Sequence, residues 1–357
     1  MQIRTHTEPT PPIGVIDSFG KGFETVISQL ALVSIPLLLD LFLWLGPRLS
    51  IAELFKSFGA FVSNGEDVPV ESARVIELSF NSLAESLNLF SFLSTSPLGV
   101  PSMMVSKVGN SPLGDGLVIP ITSWFTVTVV AFVISLGGLF IGTIYFALIA
   151  RGTLPEELKL DETELLESIW VGWVRLVGFA LAVVVAMLTF GVAVSMLAGL
   201  ASFVHPNITG LVVSLGVAIW IWGLFYVAFT VHGIVMDNQN IRESIGNSLM
   251  LVRLNMPSVV GLFGLIMMLL WGLGYLWLSP QSDSWVLLAG ILAHAFVATG
   301  LYASTFHFYR DRLRWCSELQ EYKNEHSGLT SNATRPVIKG NQGNGKEFKE
   351  EDNQEEK

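Results

Sequence analysis

The sequence predicts an all-α polytopic membrane protein. Three observations predict it: six apolar stretches long enough to cross a bilayer, a scarcity of charge, and Lys and Arg gathered beside one set of loops. The stretches run over about 26–46, 121–150, 174–201, 209–236, 258–279 and 286–308, each near or above the roughly 20 apolar residues that span a hydrocarbon core. Hydrophobic residues fill 51% of 357 positions and charged residues only 14%, against about 25% charged in a soluble domain. The net charge of -10 speaks against a nucleic-acid partner. Lone Cys316 excludes an internal disulfide. Residues 1–21 are polar and partly acidic and do not read as a signal peptide, so the chain is expected to enter the membrane through its own helices.

Orientation follows from the basic residues. Arg4 and Lys21, Arg151, Lys159 and Arg175, Arg242 and Arg253, and Arg310, Arg312 and Arg314 flank one side, whereas the short loops 202–208 and 280–285 carry no Lys or Arg. Both termini are therefore expected in the cytoplasm, in a multi-pass protein of the cytoplasmic membrane. The long segment 47–119 then lies outside. Its four basic residues do not overturn this, because long loops translocate largely regardless of charge.

A threefold repeat underlies the six spans. Before spans one, three and five the chain reads Asp17-Ser18-Phe19 with Gly22-Phe23, Glu167-Ser168-Ile169 with Gly172-Trp173, and Glu243-Ser244-Ile245 with Ser248-Leu249. The shared pattern is acid, Ser, apolar, two residues, small, apolar. On a helix, Ser and the small residue stand at i and i+4 and share a face. Ser18, Gly22, Ser168, Gly172, Ser244 and Ser248 are thus candidate packing positions where another backbone can come close. Such a helix can lie in the membrane interface with its apolar stripe down. Ser18 and Ser168 are 150 residues apart, Ser168 and Ser244 76, and the 73-residue segment 47–119 accounts for nearly all the difference. The expected architecture is three units of cytoplasmic amphipathic helix plus transmembrane hairpin, all in one orientation. Start signals are Thr10-Pro11, Asp161 with Glu164, and Asp237 or Asn238.

Six spans as three hairpins, each preceded by a helix with an acid-Ser core such as Glu243-Ser244-Ile245-Gly246-Asn247-Ser248, resemble prokaryotic membrane proteins related to the membrane domain of glycerophosphoryl diester phosphodiesterases. The resemblance covers about residues 10–310. It implies architecture more than activity, and this chain has no room for a hydrolase domain. Segment 47–119 and the polar tail depart from the family pattern.

The rest of the chain divides by composition. Residues 1–309 form the membrane domain. Within 47–119, stretches 51–62 and 70–93 carry apolar residues at helical spacing and suggest interfacial helices. Residues 94–119, with Pro97, Pro101 and Pro112, read as an irregular loop, either a lid over a cavity or an interfacial cover. Residues 310–326 form a juxtamembrane segment whose Arg310, Arg312 and Arg314 suit anionic headgroups, and 327–357 reads as a disordered cytoplasmic tail.

Chemistry-bearing residues are few. Asp40 is the only acid inside a span, and His294 lies at a matching depth in span six, about 9 and 12 Å from the outer ends. As an intramembrane polar pair they could relay protons or hold a cation. Alternatively, Asp40 bonds a neighbouring hydroxyl or the Trp44 indole and His294 packs as a neutral residue. In that structural reading, Asp40→Asn is neutral or stabilising. His232 and His307 near the inner ends, with Asp237, lack any HExxH or HxH spacing, so no metal or cofactor is expected. Gly138 with Gly142, and Ala295, Thr299 and Ala303, mark close-packing faces. Trp220, Trp222 and Trp271 sit deep enough to line a cavity or pack in the core.

These observations point first to a non-catalytic integral membrane protein that binds or organises lipid or another membrane protein. Its expected partners are the lipid bilayer, with no nucleic acid. A transporter of a small or amphipathic solute using Asp40 and His294 is the alternative. An intramembrane enzyme comes third, because the spans lack clustered acids or phosphate-binding cations.

Overall fold

In the computed structural model, residues 11–64, 69–107, 109, 111–114, 116–155 and 161–326 are described. Thr10, the tail from 327 onward and Asn110 fall outside them. The protein is an all-α polytopic membrane protein. Five helices are long and apolar enough to cross a membrane, or six if a bent pair counts as one span. The described residues from 11 to 316 belong to one compact unit, and residues 317–326, which are helical, to another.

The bent pair opens the chain. Helix α1 (Val15–Ser28) meets a 3-10 turn (Leu30–Val33) and α2 (Ser34–Leu45) at 95°. Gln29 at the bend has φ -138° and ψ 64°, outside the helical region. Pro36 stands in the first turn of α2, where its missing N–H leaves no bond unmade. The membrane-crossing half, Leu30–Leu45, is therefore only about 26 Å long.

Beyond it, a short strand β1 (Arg48–Ser50) pairs in parallel with β2 (Val118–Pro120) and closes the long loop at its base. Two helices, α3 (Ala52–Ser63) and α4 (Val70–Ser86), pack against each other inside that loop through Phe55, Phe58 and Phe80, with Gly59 against Phe80.

Four long helical runs follow: α5 (Trp124–Gly152), α6 (Glu162–Ser202), α7 (Pro206–Val227) with its continuation α8 (Thr230–Met236), and α9 (Ile241–Trp277). The last helix, α10 (Leu287–His326), runs through the middle of the bundle, and its apolar window is the most buried of the spans. Its side chains Ile291, Ala295, Ala298, Leu301, Ala303 and Phe306 are almost wholly enclosed.

At the three places where a repeat was expected, the amphipathic segment joins the apolar stretch after it in different ways. In α6 they form one uninterrupted helix, since no proline intervenes. In α9 the helix kinks at Asn255 (φ -127°, ψ 25°) beside Pro257. The Asn255 side chain donates to Leu251 O at 3.1 Å and accepts from Arg312 at 3.0 Å. At the first of the three places the joint is the 95° bend. The α6–α7 hairpin is mostly exposed, with Leu181, Leu188, Leu200, Leu211 and Ile219 on its surface, as lipid-facing helices are in a protein whose solvent is hydrocarbon.

The expected helix starts differ in detail. Helix α1 begins at Val15 with Gly14 at its N-cap, not at Thr10-Pro11, and Asn240 precedes α9 where Asp237 or Asn238 was expected. Asp161 does precede α6, without a side-chain cap bond.

Candidate functional site

The site is built by a loop that goes down into the bundle. Segment 88–107 leaves α4, forms 3-10 turns at Leu89–Leu93 and Met104–Ser106, and packs against the glycine face of α5. A Cβ on Gly138 would meet Leu93 O and Phe92 O within 3 Å, and one on Gly142 would meet Gly99 Cα at 2.5 Å. These glycines lie 14 and 18 residues after Trp124, about 21 and 27 Å along the helix. The small-residue pair read as a helix–helix contact thus receives loop backbone instead, near mid-span. Irregular backbone at that depth is tolerated only where protein or a water-filled cavity surrounds it, and here several of its polar groups are paired, although the buried Thr95 hydroxyl has no partner among the described residues. Asn88 accepts from Leu49 N and Phe90 N, and Ser94 Oγ donates to Val100 O at 2.7 Å.

Asp40 fastens this segment. Its side chain is fully buried. The carboxylate accepts from Ser102 Oγ at 2.5 Å, Met104 N at 3.1 Å and Met103 N at 3.3 Å, all at the start of the second 3-10 turn. Lys107 then donates to Leu278 O at 2.6 Å and to Pro280 O, while Trp44 Nε1 donates to Ser282 O at 2.7 Å. Together they tie the re-entrant segment and α2 to the α9–α10 connection. Partial burial lowers the Lys107 ammonium below its ordinary range. The Trp44 indole, one expected partner of Asp40, is committed elsewhere.

Between the re-entrant segment, α9 and α10 lies a cavity of about 420 Å³. Ser102, Ser106 and Met103 line it from the loop, Gly274 and Leu278 from α9, and His294 and Tyr302 from α10. His294 is only 8% exposed, with both ring nitrogens unbonded among the described residues and its ring edge-on to Trp277 at 5.8 Å. At the other end stand Trp271 and Tyr275, 77% and 86% exposed. The cavity lining thus joins the hydroxyls of Ser102, Ser106 and Tyr302 to the exposed aromatic side chains of α9. Asp40 and His294 do not bond to each other; Ser102 donates to Asp40 and lines the same cavity as His294. Of the deep tryptophans, Trp271 reaches this cavity, Trp220 stacks on Phe190 at 5.8 Å, and Trp222 is half exposed.

His232 and His307 go to separate threonines: His232 Nε2 bonds Thr305 Oγ1 and His307 Nε2 bonds Thr25 Oγ1, each at 2.8 Å. Among the described residues no group of three His, Cys, Asp or Glu side chains could hold a metal ion.

The six candidate packing positions lie in different settings. Ser18 is buried, with its hydroxyl on Gly14 O, and Gly22 faces Gly300 and Ser304 of α10. Gly172 faces Thr143 of α5, whose methyl would lie 3.5 Å from a Cβ added there, and Ser168 is half-buried. Ser244 lies beside Gly233 of α8, and Ser248 donates to Tyr226 O at 2.7 Å and accepts from Phe229 N at 3.1 Å, closing the break between α7 and α8.

Ser102 is the site residue that sequence reading missed. Its only cue was Asp40 itself, which as a lone carboxylate in a span requires donors from somewhere. No family model matches the chain, and no curated protein and no solved structure is significantly similar to it.

Proposed function

We propose that this protein sits in the cytoplasmic membrane with both termini inside and binds an amphipathic molecule, a lipid or lipid-like solute, in the cavity beneath its re-entrant segment. The observation that carries the proposal is the mixed lining of that cavity, with the hydroxyls of Ser102, Ser106 and Tyr302 beside the exposed Trp271 and Tyr275 of α9. A ligand with an apolar tail and a polar head suits such a lining, and most ligand pockets share this mainly apolar lining with a few placed polar groups. Gly274 supports it further, since the space in front of its missing side chain is open. The test is Gly274→Leu, which fills the cavity. Lipid retained through purification, identified by mass spectrometry of the intact protein, should fall to background in the variant, and unchanged retention refutes the proposal.

Transport is the second reading, favoured by the irregular backbone at mid-membrane depth next to a buried carboxylate. It predicts a ligand-dependent flux in vesicles that Ser102→Ala abolishes while the chain stays folded.

The threefold repeat belongs to the same proposal. Each acid-Ser helix meets a span of a different unit: Gly22 meets α10, Gly172 meets α5, and Ser244 with Ser248 meets α7–α8. Taken cyclically, each unit leans on the second span of the unit before it. Those spans carry a Tyr, any residue, small residue triplet at Tyr145-Phe146-Ala147, Tyr226-Val227-Ala228 and Tyr302-Ala303-Ser304, and Tyr226 and Tyr302 are 76 residues apart, as Ser168 and Ser244 are. Kinship with the membrane domain of glycerophosphoryl diester phosphodiesterases is carried by the acid-Ser motif alone.

A further inference from the structure

We infer that the cavity takes its ligand from one leaflet only, the leaflet on the side of segment 47–119, so that its occupant is a lipid of that leaflet. The inference rests on the cavity-binding reading above and adds the source of the ligand.

Height can be read along the two helices that form its walls. Trp277 ends α9, and its ring stands edge-on to His294 of α10 at 5.8 Å, which sets the two helices in register. Trp44 and Trp285 pair at 5.7 Å beside the connection between them, and tryptophans gathered at one level mark the edge of the hydrocarbon. On α9 the deepest lining residue is Leu270, seven residues or about 10 Å below Trp277. On α10 the lining runs from His294 to Tyr302, about 12 Å. Another eight residues, again about 12 Å, separate Tyr302 from Arg310, whose guanidinium donates to Thr153 O at the far end of α5. In a hydrocarbon core of about 30 Å, the cavity therefore occupies the half next to segment 47–119 and stops near the midplane.

Within that half the cavity is open sideways. Trp271 and Tyr275 are largely exposed, and so is Ser96 at the deep end, whose hydroxyl lies 3.4 Å from Tyr302 Oη. Past Tyr302 the way is closed by rings. Tyr302 packs on Phe146 at 5.5 Å and on Tyr145 at 6.3 Å, Phe146 packs on Phe306 at 6.0 Å, and Phe306 on His232 at 4.4 Å. Tyr145, Phe146 and Phe306 are almost wholly enclosed. Among the described residues nothing from α5 to α8 lines the cavity. A lipid of the near leaflet reaches the opening by sideways diffusion, its head still at the interface. One from the far leaflet would first have to carry its head through the core without partners, and the cost of burying unpaired polar groups makes that rare.

The full-length protein is reconstituted in both orientations in phosphatidylcholine vesicles, and a lysophosphatidylcholine with a diazirine on its chain is added from outside, so that it enters the external leaflet alone. After brief irradiation, molecules with segment 47–119 outside are tagged through Leu113→Cys, an exposed position, with an impermeant biotin maleimide and separated from the rest. Crosslinks on the peptide carrying Ser102 and Met103, which line the cavity, should be at least about tenfold more frequent in the tagged pool, because heads cross the core too rarely to mix the leaflets during irradiation. Gly274→Leu should remove them and leave crosslinks on the exposed faces of α6 and α7 unchanged. An excess of unlabelled lysophosphatidylcholine should do the same, and replaces Gly274→Leu if that variant fails to fold. Crosslinks that Gly274→Leu removes but that are equal in the two pools, or more frequent in the untagged one, overturn the leaflet assignment and leave the cavity standing. No crosslinks on this peptide in either pool, or crosslinks that neither Gly274→Leu nor the competitor reduces, bring down the cavity reading as well.

Discussion

Asp40 acts as a triple acceptor, and that fixes what its substitution does. Asparagine keeps one acceptor oxygen, and with that oxygen on Ser102 and Met104 its NH₂ group faces the Met103 N–H, donor against donor. Hydrogen bonds to charged groups contribute about 1.5–3 kcal/mol, so Asp40→Asn is expected to destabilise by about that much, which replaces the expectation of a neutral or stabilising change. Melting in detergent checks it, and a variant as stable as the parent would mean the three bonds contribute nothing net. Two of the candidate packing glycines make a paired prediction. A methyl at Gly22 would lie 2.5 Å from Ser304 N and 2.6 Å from Gly300 O, backbone atoms that cannot swing away, so Gly22→Ala should cost about 1–3 kcal/mol. At Gly172 the nearest atom is the Thr143 methyl at 3.5 Å, and alanine there should be neutral or gain up to about 1 kcal/mol from helix propensity. Opposite signs in one thermal-melt comparison are the expected outcome.

At the level of elements, the re-entrant segment and α5 depend on each other. Gly142→Val would drive a branched side chain into Gly99 Cα and Leu98 O. The helix itself tolerates valine, so the segment is expected to lift while the chain remains in the membrane. A cysteine at Ser96 should then react faster with a water-soluble maleimide; an unchanged rate would show that the segment stays seated without the glycine face. The long apolar helices were legible because lipid demands some twenty consecutive apolar residues, a requirement composition cannot conceal. The descent of 88–107 was not. Prolines and glycines at 97, 99, 101 and 112 announce irregular backbone, but irregularity carries no information about depth. The Gly138–Gly142 face announced a close approach and left open what approaches. The three joints were equally hidden, since whether a helix bends at Gln29, kinks at Asn255 or runs straight through α6 turns on one or two residues inside an otherwise continuous apolar pattern.

For the whole molecule, the consequence to test is sidedness. Basic residues flank the ends of α5, α6, α9 and α10 that lie on the same side as α1, so reporters fused after Lys357 and inserted near Asp161 are expected to read cytoplasm, and one at Leu113 the outside. An external signal from the C-terminal fusion would contradict the proposed orientation. Of the site, sequence marked Asp40 and His294 because an ionisable group in hydrocarbon stands out against its neighbours. It could not supply Ser102, because a serine in a polar-looking loop has no such contrast, and the place of Trp271 and Tyr275 at the cavity depends on how α9 leans from α10.

The bond between Asp40 and Ser102 also sets a clock. Ser102 is made 62 residues after Asp40, which at roughly 5–20 residues per second is about 3–12 seconds of synthesis. Through that interval a span of only 16 residues must hold a carboxylate in the bilayer with no donor in existence, against about 2.5–3.5 kcal/mol at mid-membrane on insertion scales. The nascent chain thus has a provisional first span that becomes secure only when segment 88–107, already carried across, turns back and enters from the far side. The cavity is completed later still, because α9 and α10, which form its other walls, are made well after segment 88–107.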